Sequence, residues 1–581
     1  MRRDLNLNGE RQNALWGRRG GESRGSALWG SSKRGMLVLA LFATMAIPVS
    51  WSAAPRSGAG AAGHKTLLAA AAANPDQVFD VIVQTRGKSR AAELIGDAAK
   101  AHPGKAKGLE KQFTVIKGAA AQLTGAQISD LARRKDIAAI TPDVAVSASG
   151  LTTSTTCTNC PYEGTYWPYI TGVTGFWQKP GAKAAPAPQA PAIAIVDSGI
   201  DASNTLFGGR VVKQVNLTSL TQNSPGDGRG HGTFVAGLAG GMLGNNWGGT
   251  SPTSKIVSLD VLNDQGEGMT SDVIAAADWI YQHKAEYGIR VANFSLHADG
   301  DSSFLLDPLD KAVERLWLSG VVVVAASGNY ASNGQASGIP YAPANDPFVI
   351  SVGAVDVNNT TGMSDDVAAP WSAYGYTYDG FRKPELGAPG RYMIGAVPTT
   401  STMPADRPDR VLAPGFMWMS GTSFAAPIVS GAAADLLALH PSWTPDQVKG
   451  ALMSTAKALP QALAGSAGVG EVKLDAAALV ADPPNPNRAL DAFLMADPAG
   501  SSTPVFDAVS WADAARANAA WDAVSWNDVS WHDVSWGDVS WSESSWATVS
   551  WGDVSWGDVS WTDVSWADGG TRSWPDISWL D

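Results

Sequence analysis

The chain has 581 residues, 45% of them hydrophobic and only 17% charged, with a formal net charge of −12. That length exceeds one ordinary domain and is enough to bury a sizeable core. From Asp507 onward thirteen acidic residues stand against Arg516 and Arg572, a local net of −11, so the rest of the chain is nearly balanced. A nucleic-acid partner, which would need a basic surface, is excluded.

At the N-terminus eight Lys or Arg precede an apolar run over 36–48, and the small residues Ser50, Ser52, Ala53 and Ala54 follow it. Residues 1–53 therefore have the pattern of a basic N-terminal region and signal peptide. The run is too short to span a bilayer comfortably. A secreted, extracellular, soluble protein is expected.

Residues 77–149 carry alternating strand and helix cues of a small α+β unit. Strands are expected at 79–84 and 113–116, and a last one at 137–140 before Pro142-Asp143. Thr124, followed three residues later by Gln127, has the spacing of a capping box and predicts a helix start there. The only cysteines, Cys157 and Cys160, are three apart. A small-loop disulfide, redox chemistry and zinc are the three readings. Zinc lacks a second cysteine pair, and no catalysis is assigned to either residue.

Between residues 191 and 482 short apolar runs at 192–196, 256–262, 291–294, 321–326 and 349–352 alternate with helical patterns at 271–287, 309–318, 424–439 and 444–456. Runs this apolar suit parallel strands covered on both faces. The fold class is α/β with a doubly wound, mostly parallel sheet, whose chemistry sits at the carboxyl ends of the strands.

Four motifs fall at such places. Asp197 ends the first of these strands and is followed by Ser198-Gly199, where a turn or cap aspartate is the bland alternative. His231 opens a helix in Gly230-His231-Gly232-Thr233, placed as a general base. A satisfied structural histidine is its alternative. Ser423 lies in Gly421-Thr422-Ser423-Phe424-Ala425-Ala426-Pro427. Because proline is tolerated in the first helical turn, Pro427 is expected to pin the helix start near Ser423, at the positive end of the helix dipole. As an alternative, Ser423 is an N-cap. Asn329 follows the strand at 321–326 within Ser327-Gly328-Asn329, where its amide can donate to an oxyanion.

The chain order Asp, His, Asn, Ser at these positions resembles the subtilase family, over roughly residues 191–482. The resemblance implies a serine endopeptidase in which Asp197 orients His231, His231 takes the proton of Ser423, and Ser423 attacks the scissile carbonyl. Asn329 and the backbone N–H of Ser423 would stabilise the oxyanion. Gly266 and Gly268, around Glu267, resemble the family's substrate-pairing edge strand. Ser295 and Leu296 resemble the opposite wall, with Ser327 and Gly328 also lining the cleft, and a peptide would enter by strand addition. The family usually has Gly where this chain has His297, which puts subsite preference in doubt. Tyr341 resembles the floor of the primary specificity pocket and is expected to narrow it.

Residues 77–149 resemble the family's propeptide, a ferredoxin-like chaperone and inhibitor, with a junction expected between residues 145 and 151. The peptidase domain then runs over 150–482. Protein or peptide substrates and the chain's own propeptide are the implied partners. No cofactor is required for the chemistry. Structural calcium is common in the family, and residues 244–248 stand where a binding loop is expected, but they offer no carboxylate.

After a linker at 483–506 the character changes. From residue 521 to 566 tryptophan recurs every five residues in a Trp-x-Asp-Val-Ser unit, and the tail from 507 to 581 holds 13 of the 24 tryptophans. A period of five suits neither one face of a helix nor one face of a strand. A solenoid coil or a flexible, low-complexity chain remains. A coil would offer a tryptophan edge for glycan, the cell surface or another subunit. Two other functional classes stay open: a catalytically silent peptide-binding scaffold, and a surface-attachment protein acting through the tail. The intact set of four chemical residues argues against silence.

Overall fold

The computed structural model describes residues 60–148, 166–177, 189–243 and 247–516. The expected signal region at 1–53, both cysteines, most of the loop at 244–248 and the tail beyond Arg516 lie outside the described residues.

Helix α1 (Gly60–Ala73) precedes the strand β1 (Val78–Thr85), α2 (Ala91–Ala101), β2 (Gly108–Phe113), β3 (Gly118–Thr124), α3 (Gly125–Leu131) and β4 (Ile137–Pro142). The order β2-β3-β1-β4 gives an antiparallel sheet with the β-α-β-β-α-β connectivity of a ferredoxin-like unit. Thr124 caps α3 as its spacing predicts. Its hydroxyl accepts from the Gln127 N–H, and the Gln127 side chain accepts from the Thr124 N–H at 2.9 Å.

Of the strand expected at 113–116 only Phe113 is in a strand, as the last residue of β2; 114–116 belong to the turn between β2 and β3. The N–H groups of Thr114 and Val115 donate to Asp278 rather than to a strand partner. Val115 and Ile116 are apolar because they are buried in the larger core, not because they alternate in a sheet.

The main sheet is built from β6 (Ala192–Asp197), β7 (Val211–Asn216), β8 (Ile256–Asp260), β10 (Ile289–Phe294), β12 (Val322–Ala326), β13 (Ile350–Asp356), β14 (Val367–Ala368) and β15 (Leu386–Pro389). Its order is β14-β13-β12-β10-β6-β8-β7, with β15 beside β13, and only β14 runs antiparallel. β6, β8, β12 and β13 are buried at every position, as expected of strands covered on both faces. Packed around the sheet are α4 (His231–Gly240), α5 (Thr270–Tyr287), α6 (Pro308–Leu318), α7 (Thr422–Leu439) and α8 (Pro445–Thr455). The helix boundaries match the periodic patterns within two residues.

Pro427 stands deeper in α7 than expected. The helix begins at Thr422, so the proline is inside it rather than in its first turn. The carbonyl that a residue-427 N–H would have bonded belongs to Ser423. That oxygen accepts the Ser295 hydroxyl at 2.8 Å instead, so the carbonyl freed by the proline is not left unpaired.

The ferredoxin-like unit rests on the amino end of α5. Lys111 pairs with the buried Asp272, and Asp143 accepts the Ser271 N–H at 2.9 Å. Beyond β4 the chain continues as β5 (Ala145–Ala148). It lies between β9 (Glu267–Met269) and β11 (Leu296–Ala298), antiparallel to both.

Residues 488–516, beginning in the expected linker, are folded. β16 (Leu494–Met495) pairs with β17 (Val505–Phe506), and α9 (Ala508–Arg516) follows. Asp497 joins Lys117 of the ferredoxin-like unit to Arg315 of α6, both at 2.8 Å.

Candidate active site

Asp197 is the last residue of β6, and its carboxylate emerges at the carboxyl end of the central strands. His231 is the first residue of α4, which starts after Gly230 at φ 91°. Their side chains meet. The Nδ1 of His231 lies 2.7 Å from the Oδ1 of Asp197, and both side chains are almost wholly buried. The Ser198 N–H donates to the same carboxylate oxygen at 2.8 Å. With Nδ1–H given to a carboxylate, the lone pair of the ring is on Nε2, which has no hydrogen-bond partner.

The two elements can come this close because Gly232 has no side chain. A Cβ there would sit 2.0 Å from the Gly199 carbonyl oxygen and 3.3 Å from the Cβ of Asp197. The start of α4 is then fixed by Asp227, which the sequence reading did not single out. Its carboxylate accepts the N–H groups of Gly230 and Thr233 at 2.7 Å and the hydroxyls of Ser198 and Thr233 at 2.8 and 2.6 Å. Burial pushes Asp227 up to about 6 against those hydrogen bonds. A carboxylate four residues before the histidine, with glycines between, was the available signal.

A third carboxylate stands next to these. Asp260 ends β8 directly opposite Asp197 in the parallel register, and the Asn223 amide donates to it at 2.7 Å. Burial, reinforced by the charges of Asp227 and Asp197, pushes Asp260 up to about 7.

Ser423 occupies the first turn of α7, beside the Phe424 ring that lies 5.3 Å from the His231 ring. Its hydroxyl donates to the Ser295 carbonyl at 3.0 Å. The Oδ1 of Asn329 accepts the Thr422 N–H at 2.9 Å. That leaves the Nδ2 end of the amide directed away from Thr422. The Gly328 N–H donates to the Thr422 hydroxyl at 3.1 Å, so Ser327-Gly328-Asn329 and the start of α7 are locked together. Asp197, His231, Ser423 and Asn329 thus converge at one end of the sheet.

The two segments expected to wall the cleft flank β5. Gly268 pairs with Val146 from one side, and Leu296, His297 and Ala298 pair with Ala148, Ser147 and Val146 from the other. The Gly266 carbonyl accepts the Ala148 N–H at 3.2 Å. His297 keeps its backbone in the wall and turns its ring onto Tyr341, stacked at 5.4 Å and 21°. Tyr330 closes the group, edge-on to Tyr341 at 5.0 Å. Burial holds the His297 imidazole below its usual range.

Among the described residues no group of three or more His, Cys, Asp or Glu side chains is arranged to hold a metal ion.

The comparison with known proteins agrees with this geometry. The Subtilase family model matches residues 189–470. Serine protease AprX of Bacillus subtilis is 34% identical over 265 residues, covering 44% of this chain and 59% of that protein. Subtilisin DY of Bacillus licheniformis is 35% identical over 266 residues, covering 45% of this chain and 82% of that protein. The crystal structure of fervidolysin from Fervidobacterium pennivorans, described as a keratinolytic enzyme related to subtilisin, shares the fold. It has a TM-score of 0.52 at 23% identity, over 70% of this chain and 62% of that one. The chain therefore spans about three-fifths of AprX and of fervidolysin, and most of subtilisin DY. It belongs to the subtilase family of serine proteases.

Proposed function

We propose that the chain is a secreted serine endopeptidase made as a zymogen that cuts itself. In this reading Asp197 holds the His231 imidazole with its free nitrogen outward. His231 accepts the Ser423 proton as the hydroxyl attacks a carbonyl, and later returns it to the leaving amine. The Asn329 amide and the Ser423 N–H, at the positive end of α7, carry the oxyanion of the tetrahedral intermediate.

The observation that carries the proposal is the position of β5. The chain's own residues 145–148 occupy the cleft as a strand between β9 and β11, the way a peptide substrate adds to two edges. Val146 is fully buried there. The ferredoxin-like unit that delivers this strand acts as folding aid and inhibitor until it is released. Ser147 stands opposite His297 and Ala148 opposite Leu296, the residue next to Ser295, whose carbonyl accepts the Ser423 hydroxyl; this register supports a scissile bond within the expected junction at residues 145–151. Export rests on the signal pattern of residues 1–53, and His297 with Tyr341 and Tyr330 forms the wall that selects side chains.

Expression of the precursor with and without Ser423→Ala tests this. The wild type is expected to lose its N-terminal segment, to show a new N-terminus produced by cleavage within residues 145–151 on N-terminal sequencing, and to hydrolyse denatured casein. The variant is expected to stay full size and inactive. Equal maturation of both, with no casein cleavage by either, would refute the enzyme reading in favour of a silent peptide-binding scaffold.

A further inference from the structure

The described structure includes one unit of the tryptophan tail. After Phe506 the chain turns into α9 through Asp507-Ala508-Val509-Ser510-Trp511. Asp507 caps the turn, accepting the Ser510 N–H at 3.1 Å and the Ser510 hydroxyl at 2.6 Å. Its own N–H donates to the Phe493 carbonyl at 2.8 Å. Trp511 is 0% exposed. Its indole is stacked on Phe381 at 5.6 Å and 24°, edge-on to Phe304 at 5.4 Å and 81°, and 6.5 Å from Phe506. The ammonium of Lys311 lies 5.2 Å from the Phe304 ring and 5.3 Å from the Phe506 ring, a cationic rim on an aromatic socket.

The first unit of the unbroken repeat, Asp522-Ala523-Val524-Ser525-Trp526, is identical in all five residues to the unit in the socket. Each of the eight units after it, ending at tryptophans 531 to 566, keeps serine directly before the tryptophan. At the capping position, four before the tryptophan, six of those eight carry Asn527, Gly537, Ser542, Gly552, Gly557 or Thr562. All are residues favoured at a helix N-cap. The repeat thus preserves the serine and the tryptophan throughout, and keeps a side chain able to accept the capping hydrogen bond in Asp522, Asn527, Ser542 and Thr562.

We propose that the socket of Phe304, Phe381 and Phe506 is the receptor for the tail, and that Asp522–Trp526, followed by the later units that keep a capping side chain, are alternative ligands for it within the same chain. Loop-closure entropy grows only with the logarithm of loop length, so a unit fifteen residues further on docks nearly as well as the resident one. A unit from a second copy lacks that tether and its high effective concentration. The tail is therefore a store of replacement anchors for the β16–β17 hairpin, whose Asp497 ties α6 to the ferredoxin-like unit.

The test uses the Ser423→Ala chain, so that its tail stays intact, in full-length form and in a form ending at Arg516. Trp511→Ala is expected to lower Tm by about 4 °C or more in the shortened chain, from the loss of a buried tryptophan. In the full-length chain at least half of that loss is expected to be absent. A synthetic peptide of residues 522–530 should bind the shortened Trp511→Ala chain saturably and raise its Tm. The same peptide with Trp526→Ala should bind at least 10-fold more weakly. If Trp511→Ala does not fold when shortened, Asp507→Ala, which removes the cap and leaves the aromatic core, goes through the same comparison. Equal losses with and without the tail, with no peptide binding, overturn the proposal. A rescue that grows with protein concentration overturns its same-chain assignment and puts a second copy's tail in the socket.

Discussion

Asn329 shows how one backbone donor can orient a functional side chain. The Thr422 N–H takes its Oδ1 at 2.9 Å, which fixes the plane of the amide at the start of α7. In the endopeptidase reading, Asn329→Ala removes one preorganised donor from the oxyanion and nothing from ground-state binding. The expected outcome is a fall in kcat of about 10²–10³-fold, the range known for such a donor in subtilisin itself, with KM little changed. Steady-state kinetics on a peptide substrate measure both, and an equal change in KM would assign Asn329 to substrate binding instead. At this scale much of the site was legible. Asp197, His231, Ser423 and Asn329 each stand at a strand end or helix start within a run of small residues, which is a sequence signal. Asp227 was missed because its meaning lies in four donors from Ser198, Gly230 and Thr233 that only the folded turn gathers. The interior position of Pro427 was misjudged for a similar reason. The Ser295 hydroxyl that satisfies the freed Ser423 carbonyl is 128 residues away in the chain.

Elements are joined in the core by buried charges as well as by apolar contact. Glu385, just before β15, accepts Lys383 at 2.7 Å and Lys449 of α8 at 3.0 Å, with all three side chains fully buried. The other carboxylate oxygen takes the Ser351 N–H of β13 at 2.8 Å. Lys383 and Lys449 complete their shells with backbone carbonyls between Asp346 and Val349. Burial pulls Lys449 down to about 8, with Glu385 opposing the shift. Glu385→Ala strands two buried ammonium groups and is expected to cost about 3–5 kcal/mol, as removal of one partner from a buried pair does. Equilibrium denaturation of the Ser423→Ala precursor would show it as a lower midpoint, and an unchanged midpoint would mean that water reaches the lysines. No periodicity announces such a cluster. The strands and helices themselves were readable because their faces are buried and their patterns regular. The exception, 113–116, was apolar for the sake of an interface between two units rather than a sheet.

Across the whole molecule the fold class was legible while the docking of its parts was not. The doubly wound sheet follows from runs such as 192–196 and 256–260, buried on both faces. That residues 488–516 fold back over α5 and α6 depends on Arg315, Asp497 and the Trp511 socket, partners far apart in the chain. The same burial sets the response of the molecule to pH. Burial pushes Asp227 up to about 6, Asp260, Asp346 and Asp379 to about 7, and Asp435 of α7 to about 8. Each of these has a folded-state pKa above its unfolded value near 3.8, so the folded chain binds protons that the unfolded chain has released. Their contribution to stability is fully present below that unfolded value and is lost as pH rises through the folded one. Stability is therefore expected to decline between about pH 4 and pH 8, and each such carboxylate adds a slope of at most about 1.4 kcal/mol per pH unit within its own window. Asp435 has the widest window. Its carboxylate takes one hydrogen bond, from Ser251 at 2.6 Å, which an amide oxygen can also accept. Asp435→Asn is expected to leave Tm nearly unchanged at pH 4 and to raise it relative to the Asp435 protein at pH 8, in the Ser423→Ala background so that self-cleavage does not intervene. Thermal unfolding at half-unit pH steps measures the two slopes, and parallel curves would mean that Asp435 is ionised in the folded chain throughout.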